Sequence, residues 1–202
     1  MKIRRHLLVV AATSIALAAC LLSARGRTVA PGDTDYRAAI QKLADAIKKH
    51  DTAQAKLLAE DLAKSGELLG VMNTLEKRDP AGKKLVFGVG KKPGSISPDG
   101  IGAKIQSLSR KPQAQKLIDK ESADLAEMGY RVAAIAEVAR IRVPEKDEGM
   151  KKKKDWIEWC ATMRTSAEEF AEAAKAKNPS GVKTAAAKLN SSCNNCHGVF
   201  RD

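Results

Sequence analysis

Cys193-Asn194-Asn195-Cys196-His197 is the stretch of this chain whose residue types and spacing can do chemistry. Two thiols three residues apart lie on one side of the local backbone. Both can therefore add across the two vinyl groups of a single haem, and the adjacent imidazole can turn under the iron. This Cys-x-x-Cys-His run is the attachment signature of c-type haem. It assigns one covalent haem c to Cys193 and Cys196, with His197 as axial iron ligand. Iron held by histidine on one side leaves its other face to be decided elsewhere in the protein. The same motif offers three donors to zinc, which usually takes a fourth and whose structural sites commonly pair two clusters. No second cluster is present, and the other histidines are His6 and His50. A thioredoxin-like dithiol is disfavoured because no strand-helix-strand pattern surrounds the motif.

Around this motif the composition describes helices. The chain has 202 residues, the size of one ordinary domain, and only 3% aromatics, with Ala, Lys and Leu dominant. The formal charge is +12, and +9 without Lys2, Arg4 and Arg5 of the leader. Such an excess favours acidic partners or anionic surfaces. Nucleic acid is not indicated, since the chain has no aromatic stacking set and no recognition motif. Cys20 lies in the leader and Cys160 stands alone on an expected helix, so no pair is left for a structural disulfide. Cys160 reads as a small buried residue.

Lys2, Arg4 and Arg5 precede an uncharged apolar run from Leu7 to Leu22, which Arg25 and Arg27 end. This is the layout of a secretory signal, assigned to residues 1–24. The run is short for a membrane-spanning helix. Export suits covalent haem, which is attached outside the bacterial cytoplasm. Leu17-Ala18-Ala19-Cys20 also resembles a lipoprotein box. Lipidation at Cys20 would hold the protein on a membrane surface, and cleavage after Ala24 competes with it.

The body, residues 33–202, reads as one helical haem-binding domain. Asp33 or Thr34 is expected to cap a first helix, with Tyr36, Ile40, Leu43, Ala44 and Ile47 on one face. A turn at His50-Asp51-Thr52 leads to a second helix reaching about Lys77, weakened at Gly66 and Gly70. Residues 79–112 are rich in Gly and Pro and read as a long loop with a short helix near Ile101 to Leu108. Its Gly88 to Gly94 stretch fails the phosphate-loop pattern. Long helices follow from Gln113 to Ile141 and from Met150 to Lys177. Ser180 is expected to cap the last helix, which runs through Cys193 to His197. The hairpin at His50-Asp51 faintly echoes the one at Lys177-Asn178 at a shift of 127 residues. The basic run Lys151 to Lys154 reads first as a solvated helix start and second as a docking patch.

From about Met150 to Asp202 the chain resembles the C-terminal half of cytochrome c prime, the class II c-type cytochromes. The resemblance consists of a long Ala/Lys/Glu helix, a short turn, and a final helix ending in Cys-x-x-Cys-His-x-x-Phe-Arg, with Phe200 and Arg201 in the closing positions. It implies an all-α, up-and-down four-helix bundle with haem near one end. An extra N-terminal helix and the long Gly/Pro-rich crossover loop are this chain's departures. The resemblance also implies two iron states: five-coordinate members bind nitric oxide or carbon monoxide, and six-coordinate members take methionine and transfer electrons. Members often dimerise through N-terminal helices, so a homodimer is a further expectation.

In that helix order, a 79–112 segment that crosses the bundle brings Met72 to the haem level. Met72 leads as sixth ligand, ahead of Met163 and Met128, with core packing the alternative for each. Trp156 and Trp159 fall near the same level as pocket walls or core filling. Arg201 falls near a propionate or the proximal ring face, with a solvated terminus as its alternative. The functional expectation is an exported, non-enzymatic periplasmic electron carrier with acidic redox partners. The alternative is a five-coordinate gas-binding protein. Peroxidase chemistry lacks a distal acid-base pair.

Overall fold

The computed structural model describes residues 34–79, 81 and 83–201. The signal segment and Cys20 lie outside the described residues. Among the described residues the regular structure is entirely helical, in seven helices. The first, α1 (Arg37–Lys48), buries Ile40, Leu43, Ala44, Ala46 and Ile47. It starts later than Thr34, because Asp35 binds the Arg37 amide at 3.0 Å and pairs with its guanidinium at 2.7 Å instead of capping the helix.

The continuous second helix expected to about Lys77 is divided into α2 (Thr52–Ser65) and α3 (Leu68–Asn73). Gly66 is the reason. Its backbone is extended, and a Cβ there would meet the Leu62 carbonyl at 2.9 Å and the Tyr36 ring at 3.0 Å. The Tyr36 hydroxyl accepts the Glu67 amide, so the ring plugs the break.

α4 (Ile101–Arg110), α5 (Gln115–Ile141), α6 (Lys153–Lys175) and α7 (Pro179–Phe200) complete the chain. α5 is the hub. It packs on one side against α1 and α2 and on the other against α6, which packs on α7, while α4 lies along α7. Close approach of α5 and α6 depends on Gly129, where a Cβ would sit 2.8 Å from the Ala167 carbonyl oxygen. The two ends of the assembly can be identified from its contacts. Gln115 reaches the Lys177 carbonyl at one end, and the Arg142 guanidinium donates to the Gly66 carbonyl at the other. The second end holds the end of α5, the start of α6, α3 and the end of α7.

The 79–112 segment does connect α3 at one end to the start of α5 at the other, with α4 as the ascending part. The stretch before α4 closes on itself: Lys77 bridges Gly100, and the Arg78 amide donates to the Asp99 carbonyl. Arg78 is its internal post. The guanidinium pairs with Asp99 at 3.3 Å and donates to the Phe87 and Gly90 carbonyls. Asp99 accepts the Val89 and Gly94 amides in return. Val86, Phe87, Val89 and Ile96 are buried, and Arg131 of α5 stacks over the Phe87 ring at 4.5 Å. The irregular backbone is thereby supplied with hydrogen bonds that a loop would otherwise seek from water.

The faint sequence echo has a structural counterpart. His50 and Lys177 both have positive φ, 56° and 52°. Asp51 and Asn178 each accept an amide three residues on, at 3.0 Å, and each donates to the carbonyl five residues back. The α1–α2 and α6–α7 turns are thus the same turn. Asn178, with Pro179 after it, caps α7 in place of the expected Ser180.

Candidate functional site

α7 positions the motif by extending its core-facing stripe. Val182, Ala185, Ala186 and Leu189 are buried at helical spacing, and Cys193, Cys196 and Phe200 continue the same face. Cys193 is half-buried against the main core. Cys196 and Phe200 pack against a second apolar cluster of Ala139, Trp156 and Cys160, which Leu68, Met72 and Val143 also line. His197, one step round the helix from Cys196, is exposed.

All three cysteines in the described residues are free. Burial pushes the Cys193 thiol up to about 11 and the Cys160 thiol up to about 12, and Cys196 beside each adds to it. Burial also raises Cys196. All three are therefore protonated thiols at neutral pH. The His197 imidazole is open to solvent, yet desolvation by the surrounding protein and then the Arg201 charge lower its proton affinity. The neutral ring that iron binding requires is favoured.

The two tryptophans separate. Trp156 is buried, and its indole N–H donates to the Ala139 carbonyl at 2.8 Å. Its ring meets Phe200 edge-on at 4.9 Å. Trp159 is half-buried, 6.0 Å from the Phe200 ring, and faces a groove of about 530 Å³ between α6 and α7 that Asn195 also lines. Met72 is half-buried against both the Trp156 cluster and the main core, whereas Met128 and Met163 belong to the main core alone. Arg201 is exposed at the C-cap of α7. Cys160, Leu68, Val143 and Phe200 are site-wall residues that the sequence reading did not assign. Cys160 had a signal, since it lies four residues after Trp156 on one helix face.

Glu137 closes the wall from α5. It is buried, and pairs with Arg140 at 2.6 Å and with Arg164 of α6 at 2.7 Å. Burial raises its pKa, but the two guanidiniums outweigh burial and the net shift is downward.

These residues fit a haem by the chemistry of the donor set. Two free thiols stand on the apolar face, a neutral imidazole stands beside them, and a thioether lies in the same apolar cluster. Among the described residues, no three His, Cys, Asp or Glu side chains gather as they would on a zinc ion.

The cytochrome C' family model matches residues 144–201, which cover the approach to α6, both helices of the last hairpin and the whole motif. No curated protein and no solved structure matches the chain. Over its last hairpin the chain is therefore similar to cytochrome C', and that likeness, with the all-helical fold of the described residues, supports a haem-binding protein of c-type cytochrome character.

Proposed function

We propose that the protein is an exported electron carrier with one haem attached covalently at Cys193 and Cys196, ligated by His197 and by Met72. The observation that carries this reading is the shared apolar cluster: Cys196 of α7 and Met72 of α3 pack against the same Ala139, Trp156 and Cys160 surface. When bound, the haem supplies a one-electron iron couple. The chain's own residues do the rest. Cys193 and Cys196 fix the position, and His197 offers a lone pair from a neutral ring. Trp156, held by the Ala139 carbonyl, keeps water from the cluster, and a dry wall of this kind shifts a metal centre's potential.

Export rests on the basic and apolar leader of residues 1–24, with the periplasm as the compartment that suits it. Lipidation at Cys20 is a second means of retention there. Among the described residues no helix is long and apolar enough to cross a membrane.

Optical spectra of the reduced protein before and after carbon monoxide test the ligand assignment. The expected result is a low-spin spectrum indifferent to the gas, converted to high-spin and gas-sensitive by Met72→Ala. A high-spin spectrum of the parent that shifts with carbon monoxide would reject Met72 and assign gas binding instead.

A further inference from the structure

The positive charge of this protein is concentrated in one segment. Residues 77–118 hold ten Lys or Arg and two Asp or Glu, a net +8 of the chain's +12. By contrast, residues 34–76 hold six cations and seven carboxylates, and residues 119–201 hold fifteen and thirteen. Ion pairing inside the segment does little to reduce the excess. Arg78 consumes Asp99, Lys84 is met by Glu76, and Lys104 is buried against Glu121. Lys83, Lys91, Lys92, Arg110, Lys111 and Lys116 are all exposed.

The fold holds these charges on a packed loop and on α4, which runs along the motif-bearing helix toward its start, so that Arg110, Lys111 and Lys116 lie toward the end away from the motif. The Arg78–Asp99 post and the buried Phe87, Val89 and Ile96 hold the loop. Lys104 ties α4 to the loop through the Ser97 carbonyl at 2.9 Å and to α5 through Glu121 at 2.7 Å. α4 packs along α7, which carries Cys193, Cys196 and His197. Its outer surface has a shallow depression of about 390 Å³ lined by Ala103, Gln106, Ser107, Arg110 and Lys111. The exposed large apolar side chains of the described protein, Leu57, Leu69, Met150 and Ile157, all lie outside the segment.

We infer that the basic 77–118 segment is the docking surface for an acidic partner protein that exchanges electrons with the haem. This rests on the electron-carrier reading above. Charge complementarity selects the partner, since a surface of this sign steers an acidic protein and raises its encounter rate. The absence of large exposed apolar groups from the segment favours a polar, short-lived protein contact over insertion into lipid. The basic segment, and not the Lys151 to Lys154 run, is the patch: residues 144–158 carry five cations and five carboxylates.

The test uses the haem-loaded protein and a reduced flavodoxin, a small acidic electron carrier, in stopped flow across a series of salt concentrations. Reversing Lys91, Lys92, Arg110 and Lys111 to Glu should slow reduction at low salt by about tenfold or more and remove its salt dependence. Reversing Lys42, Lys49, Lys56 and Lys64 in the α1–α2 hairpin makes the same change in net charge and should cost no more than about twofold. Equal slowing by the two sets, or none by the first, overturns the inference. So does an unchanged flavodoxin rate in a variant that has lost binding to phosphatidylglycerol vesicles, which would make the segment a membrane contact. A neutral small-molecule reductant separates the two levels. Failure to reduce the parent haem would overturn the electron-carrier reading and this inference with it. Normal reduction with no effect of the first set would overturn this inference alone.

Discussion

Cys193 and Cys196 are ordinary apolar-face positions of α7 that happen to carry sulfur. Their thiols are kept protonated by burial, and His197 is kept neutral by desolvation and the Arg201 charge. Glu137 is the wall residue with the clearest pH consequence. Burial favours its neutral form, but Arg140 and Arg164 more than offset this and hold its folded pKa below the usual 4.5. Its ionised form therefore contributes stability that is present above pH 4.5 and lost as pH falls through the folded value. Glu137→Gln should cost about 1–3 kcal/mol at neutral pH by leaving charged donors without their acceptor. It should also flatten the loss of stability in acid, both read from denaturant melts at stepped pH. A parental acid profile retained in the variant would exclude Glu137 as its source. At this scale the sequence made Cys193, Cys196 and His197 legible as candidates because covalent attachment of a haem would require their spacing. It did not reveal Leu68 or Val143, whose place at the site is set by where α3 and the end of α5 meet.

The elements that hold the site meet at small residues and buried charges. Gly129 lets α5 reach α6, and its replacement by Ala should destabilise by about 1–3 kcal/mol. A free helix would instead gain about 1 kcal/mol from that change, so a stabilised G129A variant would show that α5 and α6 are not so close. The buried Lys104–Glu121 pair joins α4, the loop and α5. Lys104→Met should cost about 3–5 kcal/mol because it strands a buried carboxylate, and adding Glu121→Leu should recover most of that loss. No recovery in the double variant would mean that Lys104 acts through Ser97 alone. Helix positions were legible from apolar periodicity to within a few residues at most ends. The failures have physical causes. The Tyr36 ring against Gly66 divides the second helix, and the Arg78–Asp99 post turns a Gly/Pro-rich stretch into a packed unit. Both depend on contacts between residues distant in sequence, which periodicity does not carry. The shared turn at His50 and Lys177 was legible only as a faint echo, because backbone hydrogen bonds define it more than side chains do.

At the largest scale the described residues form an all-helical assembly with a candidate donor set at one end, and residues 77–118 carry a net +8 of the chain's +12. The all-α class was legible from composition and the likeness to cytochrome C' from the ending at Phe200 and Arg201, and the family model's match over 144–201 agrees with that likeness. The charge asymmetry was present in the sequence but acquired a meaning only when α4 was seen to lie along α7. The central claim is that Cys193 and Cys196 hold a haem covalently, and it is tested most directly by expressing the full chain with c-type haem maturation machinery. The purified protein is then extracted with acidified acetone, and the chain is examined by intact mass and absorbance. The account predicts that one haem stays with the parent chain after extraction and is lost from the Cys193→Ala/Cys196→Ala variant. A parent chain recovered at its haem-free mass, or haem that remains on the double variant, would contradict it.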